Sequence, residues 1–146
     1  MKALRSDVDA AIKQVLDSWS DRRKHNASNY RKLFTDTGLN EQIVLPVERE
    51  NIRHIYNQFV VRVPGKRDEL RKFLTANEIG SDIYYPVSLH LQECFDYLGY
   101  GENDFLESER ASRETLALPV YPELTGDQQQ FVVDKCAEFF NRSEII

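Results

Sequence analysis

Apolar residues recur at three- and four-residue intervals through the first quarter of the chain: Leu4, Val8, Ile12, Val15, Trp19, Ala27, Tyr30 and the pair Leu33 and Phe34. That is the helical period. No Gly or Pro interrupts it before Gly38, a residue able to take the left-handed conformation that closes helices. The pattern predicts one helix over residues 1–37, roughly 45–50 Å long. The other ~110 residues would make a globule about 27 Å across. The helix should therefore overhang its own domain and leave Leu4, Val8 and Ile12 with nothing to pack against.

Downstream the period shortens. Residues 43–45 read as a short strand closed by Pro46. Residues 54–63 alternate, with Tyr56, Gln58, Val60 and Arg62 on one face and Ile55, Asn57, Phe59, Val61 and Val63 on the other, the period of a strand. Mixed polarity on both faces fits a sheet with helices on one side and a partner surface on the other. After Pro64 and Gly65, residues 67–77 form an amphipathic helix with Asp68 and Glu69 in its first turn, where carboxylates favour the dipole. Leu70, Phe73 and Leu74 are its buried face. Residues 82–84 give a third strand, ended by Pro86, and residues 89–97 a short helix broken by Gly99 and Gly101. Asp104 then reads as an N-cap with Glu107 completing a variant capping box, in a helix closing at Leu116 and Pro119. Thr125 caps the last helix, with Gln128 at the third position and Phe131, Val132, Cys136, Phe139 and Phe140 as its apolar stripe. The expected fold is α+β, in one domain over 1–146: a long helix over 1–37, then a small domain over 43–146. That domain has a mainly antiparallel sheet of about three strands with helices on one face.

Composition narrows the class. Apolar residues at 41% and aromatics at 11% are a folding composition, not a disordered one. A net charge of −5 and a pI near 5.2 argue against a nucleic-acid binder or an anionic-membrane binder. The longest stretch without a formal charge, residues 83–92, is far short of the ~18 residues of a membrane helix. Lys2 and Arg5 are followed by Asp7 and Asp9, so no signal-peptide core is expected. Cys94 and Cys136 lack metal-ligand spacing and read as reduced, partly buried thiols of a cytoplasmic protein.

Little chemistry is visible in single residues. The chain has no Gly-rich phosphate loop, GxSxG or HExxH motif. His25, His54 and His90 are scattered. The run Arg22, Arg23, Lys24, His25 reads as a solvated helix face, since Asp21 stands at pairing distance from Lys24 and His25. Glu107, Glu109 and Glu114 read as exposed. One segment stands apart: two Tyr, a Pro and a His in the uncharged stretch 83–92, at a strand end, a common place for binding side chains.

That segment, Tyr84-Tyr85-Pro86-Val87-Ser88-Leu89-His90-Leu91-Gln92, carries a resemblance. With Tyr97-Leu98-Gly99-Tyr100, Asp104-Phe105, Glu109-Arg110-Ala111 and the run from Leu116 through Pro119-Val120-Tyr121-Pro122 to Thr125, it resembles the C-terminal part of the DegT/StrS family of PLP-dependent nucleotide-sugar aminotransferases. His54-Ile55-Tyr56-Asn57-Gln58-Phe59-Val60-Val61-Arg62 is similar to a strand of the same family. The likeness covers residues 17–140. It implies the small domain of a fold-type I aminotransferase, with Tyr84, Tyr85 and His90 facing the sugar at the mouth of the site. Many members have His where Tyr84 stands. On this reading Tyr85 and His90 should be exposed, with their polar tips outward.

The resemblance also implies what the chain lacks. Family members are much longer, and a large N-terminal domain supplies the lysine that holds PLP, its ring-nitrogen partner and its phosphate anchor. None of Lys2, Lys13, Lys24, Lys32, Lys66, Lys72 and Lys135 lies in a segment like the family's lysine loop. The expectation is a catalytically incomplete C-terminal fragment or remnant, with no catalytic residue, metal or cofactor site of its own. Two other readings stand beside it: the small half of a split aminotransferase working with a separately encoded large domain, and a free-standing interaction or regulatory module. Membrane and nucleic-acid partners are not expected. A homo-oligomer through the N-terminal helix is.

Overall fold

The computed structural model describes residues 2–143, with side chains from residue 8 to residue 142. The chain ends and Leu4's place in the apolar stripe lie outside those residues. Helix α1 (Lys2–Asp36) is followed by strand β1 (Phe59–Arg62), helix α2 (Arg67–Ala76), two 3₁₀ turns (Leu89–Leu91 and Glu93–Leu98), helix α3 (Leu106–Glu114), strand β2 (Thr115–Leu118) and helix α4 (Gly126–Ser143). At 1.5 Å per residue α1 is about 52 Å long, and Gly38, at φ 72°, closes it. Its second half buries Ala27, Tyr30 and Phe34, whereas Val8, Ile12, Val15 and Trp19 stay exposed. The overhang expected from length is there.

The sheet has two strands, not three. β1 and β2 pair antiparallel, with Phe59 opposite Leu118 and Val61 opposite Leu116. The segments read as further strands each contribute one bridge, Val44 to Arg62 and Asp82 to Ala117. Four chain segments thus lie side by side, and only the central pair is regular. β2 occupies residues read as the end of a helix. Leu116 and Leu118 are buried, the Val63 amide donates to the Glu114 carbonyl at 2.8 Å, and pairing with β1 overrides local helix preference.

β1 is also shorter than the alternation implies, because Tyr56 sits at φ 47°, outside the β region. Its amide donates to Nδ1 of His54 at 3.0 Å, and residues 54–56 lie outside the strand. The left-handed backbone sends Tyr56 inward, so it is buried although the alternation puts it on the outer face. From Phe59 onward the alternation holds: Phe59, Val61 and Val63 are buried, and Val60 and Arg62 are half-buried on the other face.

The core lies between the inner sheet face and α1, α2 and α4. Tyr30 stacks on Phe59 at 5.1 Å between centroids, and Leu70, Leu74, Val133, Cys136 and Phe140 complete it. Gln129 of α4, buried, donates to the Asn26 carbonyl at 2.7 Å and accepts from Asn29 at 2.8 Å, fastening α4 to α1. Thr125 and Gln128 form the expected reciprocal cap, at 2.9 and 3.3 Å. Phe131 lies outside the buried stripe, exposed beneath the Lys135 ammonium. Asp104 caps no helix: its carboxylate accepts from the Gly101 amide at 2.7 Å, and α3 begins two residues later. Residues 89–97 form the two 3₁₀ turns, not one helix.

Candidate functional site

One face of the sheet is taken up by helices; the other is open, and a cleft of about 440 Å³ lies on it. Val60, Thr115 and Ala117, the outward residues of the two strands, form its floor. One wall is the segment after the Asp82 bridge, with Tyr84, Tyr85, Val87, Ser88 and Leu89, and the other is α3, with Ser108, Ala111 and Ser112. Asp82 is the one ionisable carboxylate among the lining residues, and no Lys or Arg is among them. A second cleft of about 850 Å³ adjoins the first and shares Gln58, Asp82, Tyr84 and Ala117 with it. Arg23, Tyr121 and Phe131 line its far part.

The sequence-selected residues divide. Tyr84 is 48% and Tyr85 71% exposed, as expected of a site mouth. His90 is 8% exposed, which corrects the expectation that it turns outward. Its ring packs on Phe105 at 4.8 Å, and Nε2 lies 3.1 Å from Oε1 of Glu109. The 3₁₀ turn after Ser88 points Leu89 out and His90 in, where the distant Glu109 carboxylate receives the ring.

Glu109, a charged residue that its helical position predicts to be exposed, is buried, at 3%. Its Oε1 also accepts the Asn103 amide at 2.8 Å, and Arg113 lies 3.6 Å from Oε2. Burial pushes the Glu109 carboxyl upward, but the His90 bond and the backbone amides of Asn103 and Phe105 outweigh it and leave the group below the usual carboxylate range. Periodicity could not have found this face, since Leu106 and Ala111 are the only apolar residues of α3. Asp21 pairs with Arg53 at 3.7 Å and Lys24 with Glu48 at 3.9 Å, not with each other. Cys94 is exposed, not partly buried, and Cys136 is buried.

Among the described residues, no lysine lines either of the two clefts in the way a PLP site requires. Lys13 and Lys135 are each 2.7 Å from a carboxylate on their own helix, and Lys66 lies over Phe140. No step of PLP chemistry is derived from these residues. No cluster of metal-ligating side chains occurs among the described residues.

Residues 5–137 match the model of the DegT/DnrJ/EryC1/StrS aminotransferase family. The chain is 41% identical to a pleiotropic regulatory protein of Geobacillus stearothermophilus, over 92% of this chain and 37% of that one. It is 33% identical to a dTDP-3-amino-3,4,6-trideoxy-alpha-D-glucose transaminase of Streptomyces venezuelae, over 93% of this chain and 36% of that one. The structure superposes on S. venezuelae DesV in complex with a ketimine intermediate with a TM-score of 0.77 at 33% identity, covering 84% of this chain and 32% of DesV. The chain thus spans about a third of the length of these relatives.

Proposed function

This chain belongs to the DegT/DnrJ/EryC1/StrS aminotransferase family, and on that premise we propose that it serves as the sugar-side small domain of a PLP-dependent nucleotide-sugar aminotransferase. The PLP lysine and phosphate anchor come from a large domain that these residues do not contain. The observation that carries this reading is the open cleft on the sheet face. Its lining is mostly carbon, with the exposed rings of Tyr84 and Tyr85 on one wall, and no cation is among its lining residues. Such a surface suits the carbon face of a neutral sugar ring laid against the tyrosines; a diphosphate would lie outside it. Tyr84 and Tyr85 are the sugar-facing residues. His90 supports the wall from behind. The two unpaired cysteines suit a cytoplasmic place of work, and no described helix is long and apolar enough to cross a membrane.

The test is a titration of the isotopically labelled chain with dTDP-glucose, with dTDP alone as control, followed by amide NMR. The sugar nucleotide is expected to shift the amides of Val60, Ser88, Ala111 and Thr115 at millimolar concentration, and dTDP is not. Equal responses to both, or none at those amides, would overturn the assignment. A second reading, a regulatory or interaction module, is favoured by the 41% identical relative, a pleiotropic regulatory protein. The reading frame upstream of Met1 separates the two, since a large-domain frame there supports a split enzyme.

A further inference from the structure

The wall carrying Tyr84 and Tyr85 has little apolar anchorage of its own. Tyr84, Tyr85, Val87 and Leu89 are all exposed, and the apolar contacts that remain are Ile83 on the core and the His90 ring on Phe105. Two polar side chains turn inward instead, and both reach α3. Ser88 Oγ donates to Ser112 Oγ at 3.4 Å, whose own hydroxyl donates to the Glu109 carbonyl at 2.8 Å. His90 Nε2 meets Glu109 Oε1 at 3.1 Å. That same oxygen takes the amide of Asn103 at 2.8 Å, a residue held at φ 73°.

One carboxylate oxygen therefore joins three separate segments: the 3₁₀ turn behind the wall, the loop before α3, and α3. We propose that Glu109 is the positioning residue of the cleft, and that its clasp on His90 and Asn103 sets the distance between the Tyr84–Tyr85 wall and α3. His90 then serves the site without touching a ligand. The inference rests on the cleft being the sugar-binding surface proposed above. Its physical basis is general: a buried polar network specifies one arrangement only while each member keeps its partner, and losing the shared acceptor leaves two donors unpaired.

The experiment compares the unmodified chain with E109A, E109Q and His90→Phe, the last keeping a ring against Phe105. Two readouts are taken: dTDP-glucose affinity by NMR titration, and amide hydrogen exchange. Leu91 and Gln92, whose amides bond the Ser88 and Leu89 carbonyls, report on the wall; Val61 and Val133 report on the core. E109A is expected to weaken affinity by on the order of tenfold and to speed exchange at Leu91 and Gln92 similarly, with core exchange unchanged. E109Q, whose amide oxygen can accept both bonds, is expected to stay within roughly threefold of the unmodified chain in both readouts. If E109A does not fold, His90→Phe carries the comparison, with the same loss expected. Binding by the unmodified chain that E109A and His90→Phe retain in full, with Leu91 exchange unchanged, overturns the clasp and leaves the proposed function standing. No response of the unmodified chain to dTDP-glucose overturns the proposed function. The clasp is then judged by exchange alone: faster exchange confined to the wall supports it, and unchanged exchange overturns it.

Discussion

Tyr30→Phe should stabilise this protein, although Tyr30 is among the largest fully buried side chains of the core. Its ring stacks on Phe59 at 5.1 Å, and Phe would keep that contact. Its hydroxyl is buried and has no hydrogen-bond partner among the described residues. A buried hydroxyl without a partner costs about 1–3 kcal/mol in proteins, so its removal should raise stability by about that amount. Alkaline pH supplies a second signature. Burial, aided by the potential of Cys136 and Tyr121, holds the Tyr30 phenol well above its usual range. The Cys136 thiol is pushed up to about 12 by burial. Both are folded-state values raised above the unfolded ones, so below the unfolded values of about 8.5 for Cys and 10 for Tyr the two states hold the same protons and stability is full. As pH rises further, the unfolded chain gives up protons that the folded chain keeps, and stability falls. Each group then removes up to about 1.4 kcal/mol per pH unit, and Tyr30→Phe deletes one of the two. The assay is urea unfolding followed by circular dichroism at about pH 7.5 and about pH 10.5, read as the midpoint at constant slope. Tyr30→Phe should unfold at higher urea in both buffers, with the larger gap at the higher pH. A lowered midpoint at the lower pH would show that the hydroxyl is bonded in the folded state, and the reasoning would fail.

Two tyrosines that look alike in the sequence should behave oppositely in the same unfolding assay. Tyr56, buried with its hydroxyl between Arg31 at 2.9 Å and Glu48 at 3.2 Å, should cost about 3–5 kcal/mol as Tyr56→Ala, the range for large core aromatics, whereas exposed Tyr85 as Tyr85→Ala should stay within about 0.5 kcal/mol. A thiol reagent at neutral pH should modify Cys94 at once and Cys136 only on unfolding, because one is exposed and the other buried; release of both thiols together would contradict the packing of α4 on α1. For the overhanging helix we propose self-association. Val8, Ile12, Val15, Leu16 and Trp19 are 42–53% exposed along one stretch, and burying the exposed half of each could recover on the order of 1 kcal/mol. Light scattering should therefore give a dimer for the unmodified chain and a monomer for Ile12→Asp, and a monomer for both would reject the pairing.

The sequence by itself determined the parts that depend on short-range periodicity. The length of α1 and its closure at Gly38 were legible because three- and four-residue spacing and a left-handed glycine are local facts. The Thr125 cap was legible for the same reason, and so was the shared face of Phe59, Val61 and Val63; the exposure of Tyr85 was expected only from the family resemblance, since local pattern alone reads both tyrosines as half-buried anchors. The family was legible as well, from motifs in order along the chain. The tertiary structure alone decided the rest. Thr115 to Leu118 became a strand because β1 offered it backbone partners and a core for Leu116 and Leu118, which no window around those residues contains. Tyr56 turned inward because its left-handed backbone breaks the alternation, which holds only from Phe59 onward. Glu109 and His90, 19 residues apart, were drawn into the interior by each other and by the Asn103 amide. Residue type and local spacing would expose both. Whether a charged or titratable side chain can be buried depends on partners brought to it from elsewhere in the chain, since the cost of removing it from water is met only when those bonds form together.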